Sequence, residues 1–233
     1  MKIPVYLAMT AAEFESADTL PENTAWMACH FSCYGTGLSN LPHRLPENTM
    51  VIVNDRTPVM GHDPGRILTQ LLEIYEVQKP KYFLLDFQRK DEPLTAEITN
   101  LLTKELPCPA AATPWYAKTL DCPVFLSPPP LHTPLKDYLS PWKGREIWLE
   151  AAIMQQTVTV TETGSCVSPV SFSKLAEPVF TETNLHCHYH IEQKEDAVVF
   201  HLQRDSALLS EFTDEAKTLG VTMGVGLYQQ LGR

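Results

Sequence analysis

The sequence predicts an α/β domain folded as a (β/α)8 barrel of the TIM type, with some reduced helices and a β-hairpin insertion between strands seven and eight. Eight short apolar runs recur along the chain, and helical patterns occupy several of the intervals between them. Strands that alternate with helices form a parallel sheet, and eight of them suggest a barrel. A chain of 233 residues with 44% hydrophobic residues can bury one such core, so we expect a single domain over residues 1–233.

The predicted strands are short runs rich in β-branched and aromatic residues, and most are followed by Pro, Gly, Asn or Asp. Those residues are typical of the turns that end strands. The eight runs are Val5–Met9, Ala25–Phe31, Met50–Val53, Tyr82–Phe87, Pro109–Thr113, Val124–Ser127, Glu146–Ile153 and Val221–Tyr228.

Three intervals show the periodicity of a helix that packs one apolar face on a sheet. After the third strand, Asp63 is suited to cap a helix and Pro64 to begin it. A second pattern follows the fourth strand, and a third ends at Gly220, before the last strand. The interval 33–48 is too rich in Gly, Pro and Asn for a helix, and 133–144 allows at most a short turn. The apolar positions are Ile67, Leu68, Leu71, Leu72 and Tyr75, then Leu94, Ile98, Leu101 and Leu102, then Leu208, Leu209, Phe212, Ala216 and Leu219.

One region departs from the alternation of strands and helices. Thr157–Thr163 alternates Thr and Val before a turn at Gly164, and His186–Glu192 and Ala197–Arg204 have the pattern of two joined strands. Such patterns are typical of antiparallel hairpins. We expect an inserted β subdomain over residues 157–203, beside the mouth of the barrel.

The fourth strand delivers polar side chains at its end. Side chains alternate along a strand, so Leu84, Asp86 and Gln88 share one face. In a parallel barrel, binding and catalytic residues lie at the C-terminal ends of the strands. This segment therefore predicts a functional site.

Other strand ends carry polar residues that would converge on the same mouth if their faces point inward. Asp55 and Arg56 have a second interpretation, a local ion pair that holds a loop. Aromatic side chains in adjacent loops could stack on a sugar. The predicted mouth residues are His30, Asp55, Arg56, Glu150 and Tyr228, together with Asp86 and Gln88; the strand ends also carry Asn54, Ser127 and Gln229, and the loop aromatics are Tyr34, Trp115 and Tyr116.

Charge and composition exclude several classes of partner. The net charge of −10 and the absence of a basic stripe argue against nucleic acid. No run approaches 18 apolar residues, so no membrane partner is expected, and the N-terminal apolar run is too short for a secretory signal. The six cysteines form no CxxC pair, which indicates reduced thiols. These observations predict a cytoplasmic protein without a cofactor.

The histidines of the insertion raise the question of a metal site. His186, His188, His190 and Glu192 share one face of a predicted strand, and His201 could lie opposite. Neighbours on one strand face lie about 7 Å apart, so at most two of these histidines could share an ion. The polar face of a hairpin explains the pattern better, and no metal is predicted.

Together these segments resemble a known family. Asp86-Phe-Gln88 at the end of strand four, Val198–Asp205, and the closing segment Gly220–Gly232 are similar to glycoside hydrolase family 18, which includes chitinases and spore-germination peptidoglycan hydrolases. The fourth strand of that family ends in D-x-x-D-x-D-x-E, and its last strand commonly reads like G-V-x-Y-W-x-L-G. The resemblance covers about the last 50 residues and strand four.

The resemblance implies a small-molecule or oligosaccharide ligand of the N-acetylated amino sugar type. In the family, the final Glu is the general acid, and the Asp two residues earlier orients the acetamido group of the substrate. By position, Asp86 matches that Asp, whereas Gln88 replaces the acid and Leu84 an earlier Asp. Tyr228 stands where a Trp would form the floor under the sugar. An amide has no proton to donate, and losing a general acid costs about 10²–10⁴ in rate.

Three functions remain open. The favoured one is a carbohydrate-binding barrel whose hydrolase activity is lost or weakened because Gln88 replaces the acid. The second is an active glycosidase that uses Asp86 with Glu150 or Asp55. The third is a non-catalytic intracellular scaffold.

Overall fold

Eight parallel strands close into a barrel in the computed structural model, which describes residues 2–33, 35, 37–58, 61–170 and 174–232. The predicted fold class is confirmed. Tyr34 lies outside the described residues. Numbered in chain order, the strands are β1 (Val5–Met9), β2 (Thr24–Phe31), β3 (Leu38–Ser39), β4 (Met50–Asn54), β5 (Tyr82–Asp86), β6 (Ala110–Ala112), β7 (Val124–Leu126), β8 (Ile147–Glu150), β9 (Met154–Thr161), β10 (Gly164–Pro169), β11 (Phe180–Glu182), β12 (Cys187–Gln193), β13 (Val198–Arg204) and β14 (Val221–Leu227).

The barrel ring follows chain order. Its strands pair as β1-β2-β4-β5-β6-β7-β8-β14, and β14 pairs back onto β1. The short strand β3 extends the sheet by pairing antiparallel with β2. Each predicted strand therefore corresponds to one strand of the ring, although β8 ends at Glu150, before the predicted end at Ile153.

The three predicted helices are confirmed, at Pro64–Gln78, Pro93–Glu105 and Ser206–Thr218. The Asp63 side chain accepts a hydrogen bond from the Gly65 amide, and Pro64 begins the helix. Shorter helices occupy other intervals, and none of the helices in the described ranges is long and apolar enough to cross a membrane. The helices are α1 (Ala11–Ser16), α2 (Pro64–Gln78), α3 (Pro93–Glu105), α4 (Pro114–Ala117), α5 (Leu135–Leu139), α6 (Ser206–Thr218) and α7 (Tyr228–Leu231), with a 3-10 turn at Ser140–Trp142.

Apolar side chains fill the barrel and also cover its outside. On β5, Leu84 points into the barrel, while Phe83 and Leu85 pack in the outer layer with residues of the helices. The inward side chains form one buried apolar cluster, so the polar strand ends lie above a packed floor. The inward core residues are Tyr6, Ala8, Ala25, Met50, Ile52, Leu84, Ala111, Phe125, Trp148, Met223 and Val225.

The insertion between the seventh and eighth barrel strands is confirmed, and it is larger than the sequence predicts. It forms a five-stranded antiparallel sheet in the order β10-β9-β13-β12-β11. The first strand begins at Met154, before the predicted Thr157, and the three-residue strand β11 was not predicted. One buried cluster of Met154, Leu185 and Leu202 with Cys187 packs under this sheet.

A buried arginine ties the inserted sheet to the barrel. The Arg204 side chain donates to the carbonyl oxygen of Ala152 through Nε (3.0 Å) and Nη2 (2.7 Å), and to that of Leu185 through Nη1 (2.9 Å). Its guanidinium carbon lies 4.4 Å from the ring centroid of Phe212 in α6. Burial lowers the pKa of Arg204 to about 10. One side chain thus joins the end of β13, the segment after β8 and a helix of the barrel.

Candidate functional site

A cavity of about 690 Å³ opens at the C-terminal ends of the barrel strands. It brings together side chains from β2, β4, β5 and β8 and from the loop after β4. Five of the residues predicted for the mouth line it: His30, Arg56, Asp86, Gln88 and Glu150. The cavity contains carboxyl, amide, imidazole and guanidinium groups within one space above the apolar floor.

Asp86 ends β5 inside this cavity. Burial raises the pKa of its carboxyl above the ordinary value, and the charge of Asp55 adds to the rise. A hydrogen bond from Gln88 acts in the opposite direction, since Gln88 Nε2 donates to Asp86 Oδ1 at 2.5 Å. The amide at position 88 therefore orients and stabilises the carboxylate beside it, and it has no acidic proton to donate.

Glu150 is the second carboxyl group of the cavity. Burial raises its pKa, and the negative charge of Asp86 adds to that rise. The Arg204 guanidinium and a hydrogen bond with Ser127 oppose it. The two carboxyl groups thus interact electrostatically, and pairs of this kind are arranged in many active sites to keep one member protonated.

The loop after β5 is held by Asp55, which does not line the cavity. The Asp55 side chain is 5% exposed, and its two oxygens accept the backbone amides of Gln88 (3.0 Å) and Arg89 (2.7 Å). Two further bonds secure the same loop, because Thr113 Oγ1 donates to the Phe87 carbonyl and the Tyr116 hydroxyl donates to the Arg89 carbonyl. Asp55 and Tyr116 thus fix the backbone that carries Gln88.

A bulge in β2 places His30. The pairing of β2 with β4 shifts register between Trp26 and Cys29, where β2 carries one extra residue. The Asn54 amide donates to the carbonyl oxygens of Met27 (3.3 Å) and Cys29 (3.1 Å) at this point. A strand with an extra residue would otherwise leave these carbonyl groups without a ladder partner, so Asn54 supports the strand that carries the histidine.

The His30 ring is oriented by its own strand. His30 Nδ1 lies 2.9 Å from the carbonyl oxygen of Ala28. A carbonyl oxygen only accepts, so Nδ1 carries the proton of this hydrogen bond. His30 therefore adds an imidazole ring, oriented by its own strand, to a cavity in which Arg56 and Gln88 supply donors.

The remaining predicted aromatics lie elsewhere. Trp115 and Tyr116 line a separate cavity of about 280 Å³, and the Lys90 ammonium lies 3.8 Å from the Trp115 ring centroid. Tyr228 begins α7, and its ring is packed so closely on Gly232 that a Cβ there would lie 2.3 Å from it. From this helix, Gln230 lines the mouth instead.

Several residues of the cavity escaped the sequence analysis. Thr10, Asn40 and Gln230 line it, and the positive charge of Arg204 opposes the rise in the pKa of Glu150. Only Thr10 had a local signal: it forms a capping box with Glu13 at the start of α1. Asn40 lies in a loop, Gln230 on the short helix α7 and Arg204 on a distant strand, where spacing in the sequence carries no information on proximity.

The histidines of the inserted sheet have separate partners. His186 Nε2 lies 2.7 Å from Glu215, His188 Nδ1 lies 3.2 Å from Thr181 Oγ1, and His190 Nδ1 lies 3.1 Å from the Pro178 carbonyl oxygen. Across the parts of the chain that the structure describes, no group of three His, Cys, Asp or Glu side chains is placed to hold a metal ion.

Comparison with solved structures identifies the same fold in two bacterial enzymes. The spore cortex-lytic enzyme SleL of Bacillus cereus superposes with a TM-score of 0.57 at 11% identity, over 97% of this chain and 71% of the enzyme. SleL of Bacillus megaterium QM B1551 gives a TM-score of 0.54 at 8% identity, over 96% of this chain and 70% of the enzyme. No family model matches the chain, and no curated protein sequence matches it significantly. At such identities the likeness establishes a shared barrel fold.

Proposed function

We propose that the mouth of the barrel binds a carbohydrate of the N-acetylated amino sugar type, as an oligosaccharide or a smaller fragment. The observation that carries this proposal is the meeting of Asp86 and Glu150 in one cavity with His30, Arg56 and Gln88. The volume, about 690 Å³, lies within the usual range for small-molecule sites. The fold shared with two spore cortex-lytic enzymes supports a sugar ligand over other small molecules.

The chemistry of the cavity suits such a ligand. Sugar hydroxyl and acetamido groups are uncharged and need both donors and acceptors at fixed positions. Asp86 and Glu150 offer acceptors, while Arg56 and Gln88 offer N–H donors. The apolar residues of the floor, such as Leu84 and Phe125, provide a surface for the less polar face of a sugar ring.

In this proposal, binding is retained and hydrolysis is lost or weakened. Gln88 occupies the position that the resemblance assigns to the general acid, and its amide donates a hydrogen bond to Asp86 instead. The cost of losing that acid is about 10²–10⁴ in rate.

One observation favours a second candidate, an active glycosidase. Glu150 has a raised pKa, partly because of Asp86, and a general acid must stay protonated at the working pH. A carboxyl pair across the mouth could then divide the acid and assisting roles. Asp55 is less suited as the partner, since both of its oxygens accept backbone amides.

Calorimetric titration with chito-oligosaccharides and with peptidoglycan fragments tests the binding proposal. We expect heat with at least one of them, and a loss of that heat in Asp86→Ala. The absence of heat with every sugar would contradict a carbohydrate function and favour a barrel with a scaffold role.

Hydrolysis of aryl N-acetylglucosaminides separates the two candidates. Turnover that appears only in Gln88→Glu indicates a disabled hydrolase, as proposed. Turnover by the wild type that disappears in Glu150→Gln would establish the active alternative. The matched control is Glu146→Gln, an exposed glutamate that directly precedes β8, and turnover should persist in it.

A further inference from the structure

A second cavity, of about 970 Å³, lies beside the first, between the mouth and the inserted sheet. The two cavities share three lining residues, Glu150, Ala152 and Gln230. The second cavity therefore begins at the carboxyl group that closes one side of the candidate sugar site. We call it the sheet groove.

The sheet groove differs chemically from the mouth. Among the described residues that line it, Glu150 is the one charged side chain, and it lies at the junction with the mouth. The other polar groups are amides and a hydroxyl: Gln155, Gln156, Gln229, Gln230 and Ser165. The apolar lining consists of Pro128, Pro129, Pro130, Leu131, Ala152, Ile153, Met154, Val158, Val160, Val167, Pro169, Val170, Leu185 and Leu202.

The register of the inserted sheet builds one wall of this groove. Val158 pairs with Val167 of β10 on one side and with Phe200 of β13 on the other. Since paired residues share a face, the apolar row crosses three strands and continues to Ile191 of β12, and Val158 and Val167 are the members of this row that line the groove. Alternate residues point away, which is why the Thr positions of β9 do not enter the lining.

The loop that follows β7 also lines the groove. Pro128, Pro129 and Pro130 have no backbone N–H to donate, and their rings present apolar surface to the groove. Exposure is high on the sheet side, where Val160 is 40% and Val167 is 58% exposed. Apolar side chains left exposed in a contiguous patch mark a binding surface more often than isolated ones do.

We propose that the sheet groove binds an uncharged apolar substituent of the same ligand whose sugar occupies the mouth. The inference rests on the proposed function, because continuity through Glu150 is what assigns the occupant. An anionic arm would be desolvated beside Glu150 without a cationic partner. Fourteen of the twenty described lining residues are apolar, so an apolar arm buries more of the groove than a further sugar would. A glycoside with an alkyl, acyl or aryl chain satisfies both surfaces at once.

A matched pair of glycosides tests the inference on the full chain. Methyl and octyl 2-acetamido-2-deoxy-β-glucopyranoside carry the same sugar and differ only in the apolar arm, and both are titrated calorimetrically below the micelle concentration of the octyl compound. We expect the octyl compound to bind at least about tenfold more tightly, since each buried methylene adds to the transfer free energy.

Two substitutions test whether the tighter binding of the octyl glycoside arises in the sheet groove. Val160→Asp and Val167→Asp place a charge in the groove at exposed positions, so we expect the octyl advantage to disappear while the affinity for the methyl compound stays unchanged. Val77→Asp is the matched control, because Val77 lies on α2, outside the groove, and is 74% exposed. Thermal melts of all three variants establish that each is folded.

The outcomes separate this inference from the function on which it rests. Equal affinities for the two glycosides would overturn the proposal that the sheet groove binds an apolar substituent, and would leave the proposed sugar binding in the mouth unaffected. An octyl advantage that survives in both groove variants would also overturn it, since the arm would then bind elsewhere. No binding of either compound, together with no heat from the oligosaccharides, would overturn the sugar function and the groove with it.

Discussion

The barrel mouth and the inserted sheet position their surfaces in different ways. In the mouth, hydrogen bonds to neighbouring groups position the polar side chains at the end of β5: the Gln88 amide donates to Asp86, and Asp55 accepts the backbone amide of Gln88. In the inserted sheet, strand pairing sets the positions of the apolar side chains. The sheet is joined to the barrel where the Arg204 side chain donates hydrogen bonds to the Ala152 carbonyl oxygen.

This difference predicts how each region fails. A change in the mouth should alter one or two neighbouring groups, because its contacts are short-range between adjacent strand ends. A change at the junction should loosen the whole inserted sheet, because the paired strands move together.

The largest effect is expected for Arg204→Met. The substitution keeps the apolar volume but removes the donors to Ala152 and Leu185, and it leaves buried carbonyl groups unsatisfied. Hydrogen bonds from charged donors contribute about 1.5–3 kcal/mol each, and removal of the buried charge offsets part of the loss. We expect a loss of about 3 kcal/mol in the free energy of unfolding, measured with denaturant.

Arg204→Lys is the matched variant, because it keeps the charge and lacks the planar fork. It should also be destabilised, and hydrogen exchange should rise over residues 154–204 in both variants. Wild-type stability in Arg204→Met would show that the inserted sheet is joined to the barrel by other contacts.

A smaller and more local effect is expected for Asp55→Ala. The carboxylate accepts two backbone amides of the loop after β5, and an unsatisfied buried donor costs about 1–3 kcal/mol. We expect a loss of about 2–3 kcal/mol in the free energy of unfolding, together with weaker sugar binding because Gln88 is no longer fixed.

Asp55→Asn serves as the comparison, since it retains one acceptor oxygen and should lose about half as much. If both variants keep full stability and lose only affinity, Asp55 would act on the ligand directly, as the sequence analysis allowed. Calorimetric titration and denaturant unfolding of the same samples distinguish the two results.

The contrast between the regions also explains what the sequence could predict. The eight barrel strands are recognisable because each is a buried apolar run such as Met50–Asn54, and the caps of α2 and α6 are local signals. The role of Arg204 depends on a carbonyl group 52 residues away in the chain. No local pattern encodes such a contact.

The candidate site shows the same limit. Alternation on β5 predicts that Asp86 faces inward, and it lines the cavity as expected. Sequence position alone groups Asp55 with Asp86, yet one carboxylate binds backbone amides and the other faces the cavity. Which group meets a ligand is decided by loop geometry, and that geometry depends on hydrogen bonds between distant segments.

The smallest effect on stability is expected for Asp86→Asn and Glu150→Gln, and it depends on pH. Burial raises the pKa of both carboxyl groups above their ordinary values of 3.8 and 4.5. The folded state then binds protons more tightly than the unfolded state, so stability is fully present below those ordinary values and is lost as pH rises through the folded pKa.

The two variants do not ionise at this position. We therefore expect them to match the wild type near pH 3, below both ordinary values, and to be more stable near pH 7, with the difference growing between these values. Denaturant unfolding across that range measures it. Variants that become less stable than the wild type as pH rises would show that the charged carboxylates are stabilised by the fold.

The central claim is that the barrel mouth is the sugar site. Its most direct test is the calorimetric affinity of the chito-oligosaccharide that binds best, for the wild type, Asp86→Ala and Trp115→Ala. We expect Asp86→Ala to weaken binding at least about tenfold and Trp115→Ala, outside the cavity lining, to leave it unchanged. Full affinity in Asp86→Ala with a loss in Trp115→Ala would contradict the account.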